Sequence, residues 1–207
     1  MNDGVFSNII TPMINQITFI LMAYFVGSLS FGIIVSHFFK LSDPRTIGSG
    51  NPGATNVMRA GNKLAALLTL LGDMLKATLV IVVANKLAVG EIELGLISIA
   101  VLLGHIFPAY HGFKGGKGVA TALGIFLGID WALALAVLSV WLFIFVIWRY
   151  SSLAAIVAAL SAPIFTLFLG FSHEILWLNI SIAVLIIYRH KINIINLLNG
   201  KESGFRR

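Results

Sequence analysis

The residues Val119–Trp148, "VATALGIFLGIDWALALAVLSVWLFIFVIW", decide how the rest of the chain is threaded. They are almost wholly apolar, and "GID" at Gly128–Asp130 interrupts them. A helix rises about 1.5 Å per residue, so about 20 residues cross the hydrocarbon of a bilayer. This stretch is too long for one ordinary span and short for two full ones. The spacing predicts a short helix over about 119–129 and a full one over about 131–148. Charge tests the split. With seven spans and the N-terminus outside, Lys40, Arg45, Arg59, Lys63, Lys114, Lys117, Arg149, Arg189, Lys191, Lys201, Arg206 and Arg207 all fall inside, twelve of the fourteen basic residues. Lys76 lies within a span and Lys86 falls outside, where Asp3, Glu91, Glu93, Asp130 and Glu174 also collect. That asymmetry obeys the positive-inside rule. Merging the two helices gives six spans and places Arg149 and the basic C-terminus outside, which the charges reject.

The composition agrees with a membrane solvent. Hydrophobic residues make up 58% of the 207 and charged residues 11%, against about 25% charged in an ordinary soluble domain. The mean hydropathy is +0.98. The net charge of +6 is accounted for by cations flanking apolar spans, so nucleic acid is not the expected partner. Cysteine is absent, which removes disulfides, thiol nucleophiles and thiolate metal sites. The polar start "MNDGVFSNII" lacks a basic n-region and is not read as a signal peptide. The remaining spans are expected near 17–39, 64–84, 94–107, 153–170 and 175–188. The fold expected is all-α: one polytopic helix bundle over residues 1–207, seven transmembrane helices, N-terminus extracytoplasmic, C-terminus cytoplasmic.

Three polar segments then share the cytoplasmic face. In "GSGNPGATN", within Asp43–Lys63, glycines free consecutive N–H groups, and Ser49, Asn51, Thr55 and Asn56 add short polar arms. Successive amides make a concavity for an anion, and Arg45 and Arg59 flank it with guanidinium forks. In "FKGGKG", Lys114 and Lys117 bracket Gly115 and Gly116 just before a helix beginning near Gly118, whose free amides favour a second anion. This is not a nucleotide-binding P-loop, which needs G-x-x-x-x-G-K-[ST]. Lysines that merely snorkel to fix topology are the competing reading. The third segment, "YRHKINIINLLNGKE", puts Arg189, His190, Lys191 and Asn193 at a helix exit, with Glu202 close by. A basic stretch touching anionic lipid is its alternative. Arg149 and Ser151 reach the same face, Arg149 as phosphate donor or as topology anchor. Asp73 and Lys76, three apart within a span, are read as an ion pair that is structural or orients a pocket. His37, His105 and His111 are too scattered for a metal site, His173 falls on the opposite side, and no metal is expected.

These three motifs, in this order, resemble the bacterial PlsY family of acyl-phosphate:glycerol-3-phosphate acyltransferases. The likeness extends from "AYFVGSLSFG" at Ala23–Gly32 to Glu202. It implies transfer of a fatty acyl group from acyl-phosphate to the 1-hydroxyl of sn-glycerol 3-phosphate, giving lysophosphatidic acid and phosphate, in the bacterial inner membrane and without a cofactor. By resemblance the phosphate-binding positions are Arg45, Ser49, Gly50, Asn51 and Asn56, then Lys114, Gly115, Gly116, Lys117 and Gly118, and the third motif falls on His190, Asn193 and Glu202. Ser49, Lys117, His190 and Asn193 are the candidates closest to the chemistry. Arg59, Arg149 and Ser151 join the phosphate set, while Asp73, Lys76 and Glu202 orient. Ala77 and Pro52 stand where the family commonly has glycine and a small aliphatic residue. The H-x-x-x-x-D signature of soluble acyltransferases is missing after all five histidines. A substrate phosphate oxygen is therefore the expected proton acceptor, with His190 its competitor. The acyl tail is expected to enter sideways from lipid, with the short fourth helix forming part of its wall. A transporter of a phosphorylated solute is the rival class, since glycine-broken short spans occur there too.

Overall fold

The computed structural model describes residues 16–205, and these residues form helices and loops with no strand among them. The polar start, with Asp3, and the final Arg206 and Arg207 lie outside the described residues. In chain order the helices are α1 (Gln16–Gly27), α2 (Phe31–Phe38), α3 (Ala54–Arg59), α4 (Lys63–Lys86), α5 (Glu91–Ile106), α6 (Val119–Ile129), α7 (Trp131–Trp148), α8 (Ser151–Phe168), α9 (His173–Arg189) and α10 (Lys191–Leu198). Residues 63–86, 91–111, 131–148 and 151–168 are each long and apolar enough to cross a membrane. The count rises to six if the bent pairs α1–α2 and α9–α10 each make one span. Outward-facing side chains such as Leu79 and Phe143, both 63% exposed, are apolar, as a lipid-facing surface requires.

The decisive stretch divides at Asp130. Its carboxylate accepts from the N–H groups of Ala132 (2.7 Å) and Leu133 (3.2 Å), capping α7. This leaves α6 only 11 residues, about 16 Å of helix. What holds so short an element among long ones is close packing on α4. Gly124 and Gly128 stand one turn apart; a Cβ on either would collide with the Met74 carbonyl or the Ile81 side chain. Polar side chains of α4 complete the seam, Thr78 donating to the Gly124 carbonyl (3.0 Å) and Asn85 to the Gly128 carbonyl (3.0 Å). Small residues that let two backbones approach are the usual means of joining helices in lipid.

The first span, expected as one stretch over 17–39, is broken. A 41° bend separates α1 from α2, and the backbone groups freed at the break find partners in α4. The Lys76 ammonium donates to the Leu29 carbonyl (2.6 Å), to Asp73 (2.8 Å) and to Nδ1 of His105 (3.0 Å). Asp73 in turn accepts from the Phe31 N–H (3.4 Å). All three residues are buried. The expected Asp73–Lys76 pair is therefore present, extended by His105 and spent on the broken helix. Elsewhere α8 turns Ala154, Ala155, Ala158, Ala159 and Ala162 inward, and Asn179 of α9 donates to Thr166 of α8 (2.6 Å).

The α4–α6 seam predicts that Gly124→Leu destabilises the chain by about 1–3 kcal/mol, the usual cost of overpacking, visible as a lower melting temperature in detergent. Gly95→Ala, at a position in α5 with open space around it, should keep or raise that temperature, since alanine favours a helix interior over glycine. Equal melting of the two variants would contradict the seam.

Candidate active site

One cavity of about 220 Å³ collects residues from all three polar segments. Ser49, Asn51, Asn56 and Arg59 come from the first, Lys117 and Gly118 from the second, and His190, Asn193 and Glu202 from the third. Ser151 and Asp73 also line it. Beyond this polar mouth the wall becomes apolar, with Leu123 and Phe126 of α6, Val137 and Trp141 of α7, and Ala155 and Ala159 of α8. The short helix thus does form part of the apolar wall.

A chain of hydrogen bonds ties the mouth together. The Lys117 ammonium donates to Oδ1 of Asn193 (2.6 Å). The Asn193 amide donates to Oε1 of Glu202 (2.8 Å), and the same oxygen accepts from the Ser152 hydroxyl (2.6 Å). Glu202 thereby fixes which way Asn193 faces, so that its carbonyl oxygen meets the lysine. Burial pulls the Lys117 ammonium below the ordinary lysine range, an effect the nearby Glu202 partly reverses. A buried cation held by a neutral amide gains from an anion bound beside it.

His190 sits in the turn between α9 and α10 and is 2% exposed. Its Nδ1 donates to the Ile186 carbonyl (2.8 Å), which in the neutral ring leaves Nε2 as an acceptor. Burial brings its pKa down to about 4, and Lys117 pushes in the same direction.

The loops around the mouth are rigidly built. Gly48 and Gly50 have positive φ, at 54° and 68°. Asn56 staples that loop, accepting from the Ser49 N–H (3.1 Å) and donating to the carbonyls of Pro44 (2.7 Å) and Ile47 (3.1 Å). Expected as a phosphate ligand, Asn56 instead spends its amide on shaping the loop. Arg45 is likewise engaged, paired with Asp43 at 2.6 Å beyond the cavity wall. Lys114 and Arg149 are exposed outside the cavity. Gly115 and Gly116 do not line it either; they pack beneath it on His105 and Pro108, where a Cβ would collide. Arg59 lines the mouth and donates to the Ser203 carbonyl (2.6 Å), with its guanidinium 5.4 Å from the Phe205 ring. Residues 202–205 therefore run along the edge of the mouth, where the Phe205 N–H donates to the Arg149 carbonyl (3.0 Å).

Sequence reasoning missed three contributors. Arg189 donates to the carbonyls of Gly115 (3.2 Å) and Gly116 (3.3 Å), holding the glycine loop from below. Ser152 orients Glu202, and His105 joins the buried Lys76 pair while accepting the Gly116 N–H on its backbone carbonyl (3.1 Å). The one signal for Arg189 was a cation at a helix end, which topology alone already explained.

Residues 17–200 match the family model described as glycerol-3-phosphate acyltransferase. The chain is 52% identical over 197 residues to the glycerol-3-phosphate acyltransferase of Ralstonia pickettii (strain 12J), covering 93% of this chain and 95% of that protein. It is 50% identical over 189 residues to the enzyme of the same name from Chromobacterium violaceum, with 89% and 92% covered. Among solved structures it is similar to PlsY, an integral membrane glycerol 3-phosphate acyltransferase. The glycerol 3-phosphate form matches with a TM-score of 0.88 at 42% identity, covering 93% of this chain and 96% of that one. The lysophosphatidic acid form gives 0.87 at 40% identity over the same shares. With the apolar helices and the cationic mouth, these likenesses identify a multi-pass membrane enzyme: the chain belongs to the PlsY family of glycerol-3-phosphate acyltransferases.

Proposed function

We propose that the enzyme takes its acyl group from an acyl-phosphate and delivers it to the 1-hydroxyl of sn-glycerol 3-phosphate, at the cytoplasmic face of the bacterial inner membrane and without a cofactor. The observation that carries this reading is the junction of a cationic mouth with an apolar shaft in one cavity. A donor with an anionic head and a hydrocarbon tail matches both halves, and a second phosphorylated substrate accounts for cations from separate loops. The topology that goes with it has seven crossings: the four long helices, the two bent pairs and α6, with the N-terminus outside. The basic residues at the ends facing the mouth support it.

Lys117, Ser49 and the first turn of α6 at Gly118 hold the phosphate of one substrate, and Arg59, Asn51 and Ser151 that of the other. Gly50, Gly115 and Gly116 shape the loops. Lys114 and Arg149, around the rim, raise the local concentration of anions. The glycerol hydroxyl oxygen attacks the acyl carbonyl carbon, and the bond from that carbon to the phosphate oxygen breaks. Phosphate leaves with the electron pair and takes the hydroxyl proton on one of its oxygens. The protein contributes alignment and stabilisation of the growing charge by Lys117 and Asn193. His190, which burial keeps neutral, accepts a hydrogen bond from the hydroxyl and orients it.

Purified protein given acyl-phosphate and radiolabelled glycerol 3-phosphate should form a labelled, lipid-soluble product. Uptake into sealed vesicles with no acylation would replace this reading with transport. His190→Gln should slow turnover by about tenfold, the worth of a buried hydrogen bond at the reacting group, and equally from about pH 5.5 to 8, where the ring is neutral throughout. A loss of about a thousandfold, the scale of a missing general base, contradicts the substrate-base mechanism.

A further inference from the structure

We propose that the floor of the apolar shaft sets how much of the acyl chain the protein holds straight, and that Ala159 is the residue that fixes that depth. The proposal rests on the acyl-transfer reading and deepens it to chain-length selection.

Three helices, read independently, end the shaft at one level. Along α8 the wall begins at the mouth with Ser151, which contacts Thr55 (3.2 Å), continues one turn on at Ala155, and ends at Ala159. The next inward residue, Ala162, is fully buried and does not line the cavity. Along α6, which starts at the same mouth, the wall ends at Phe126, 2% exposed. Along α7, whose far end faces the mouth, it ends at Val137. Behind this level Leu133, Ala134 and Ala162 are packed.

Ser151 to Ala159 is about 12 Å along the helix axis. An extended hydrocarbon advances about 1.25 Å per methylene from ordinary C–C bond lengths, so the straight part of the chain ends near the ninth or tenth carbon. The remainder of a longer tail turns aside. Leu70 both lines the cavity and is 40% exposed, so the turn leads past α4 to lipid. The alanines at 155 and 159 keep the shaft open, one helical turn apart on one face. A helical side chain leans toward the N-terminus of its helix, here toward the mouth, so any enlargement at position 159 fills the shaft from the bottom up.

Ala159→Phe and the milder Ala159→Val are compared with the unchanged enzyme, using acyl-phosphates of four to sixteen carbons and radiolabelled glycerol 3-phosphate. A cooperative melting transition in detergent reports that both variants fold, and four-carbon turnover is the reference for each. The ratio of sixteen-carbon to four-carbon turnover should fall about tenfold or more for phenylalanine and by less for valine, the scale on which pockets reject added bulk. A loss equal at every chain length in both variants, or no change at any length, overturns the proposal. Should the unchanged enzyme acylate with none of these donors, the acyl-phosphate reading itself fails, a separate result.

Discussion

A lysine ammonium must be kept at the edge of an apolar bundle without being neutralised, and the architecture is arranged around that constraint. Lys117 is held by a neutral amide, Asn193, at 2.6 Å. The carboxylate of Glu202 is withheld one bond away, fixed on Asn193 and Ser152. Had Glu202 paired with Lys117 directly, the pair would have closed on itself and offered an incoming phosphate little. Relaying the contact through Asn193 orients the lysine and leaves its charge without a carboxylate partner. The arrangement needs a loop, α8, α10 and the tail to meet at one point, so the site is inseparable from the packing of the bundle.

A second lysine shows the contrast. Lys76 lies deeper, and its three N–H groups are all engaged by Asp73, His105 and the Leu29 carbonyl. Here the charge is neutralised and its value is structural. It supports the break between α1 and α2, where lipid would otherwise leave a carbonyl unpaired. The two networks meet through His105, whose carbonyl accepts from Gly116 and whose ring abuts the same glycine. The loop carrying Lys117 thus rests on the frame carrying Lys76, with Arg189 holding its carbonyls from the other side.

Much of this was legible in the sequence because lipid restricts the choices. Apolar length and cation asymmetry marked the helices, and the "GID" interruption marked the division at Asp130, since aspartate caps a helix and cannot lie idle within one. The three motifs were visible as clusters of glycine, asparagine and cations in an apolar chain. Partnership was not visible. Arg45 and Asn56 looked like phosphate ligands by residue type, yet Asp43 two residues away engages the first and three loop backbone groups engage the second. The bend after Gly27 had no proline to announce it, and the group that receives the Leu29 carbonyl at the break is Lys76, 47 residues away. Periodicity records which face is apolar; it does not record which polar groups are already satisfied.

On the proposed function, Lys117 carries a charge reserved for substrate phosphate. Calorimetric titration of glycerol 3-phosphate and of inorganic phosphate into the detergent-solubilised enzyme and its Lys117→Met variant reads that charge. The variant, melting as the unchanged chain does, should bind at least one of the two anions about 10- to 100-fold more weakly, the worth of a charge-assisted hydrogen bond. Undiminished affinity for both anions would contradict it.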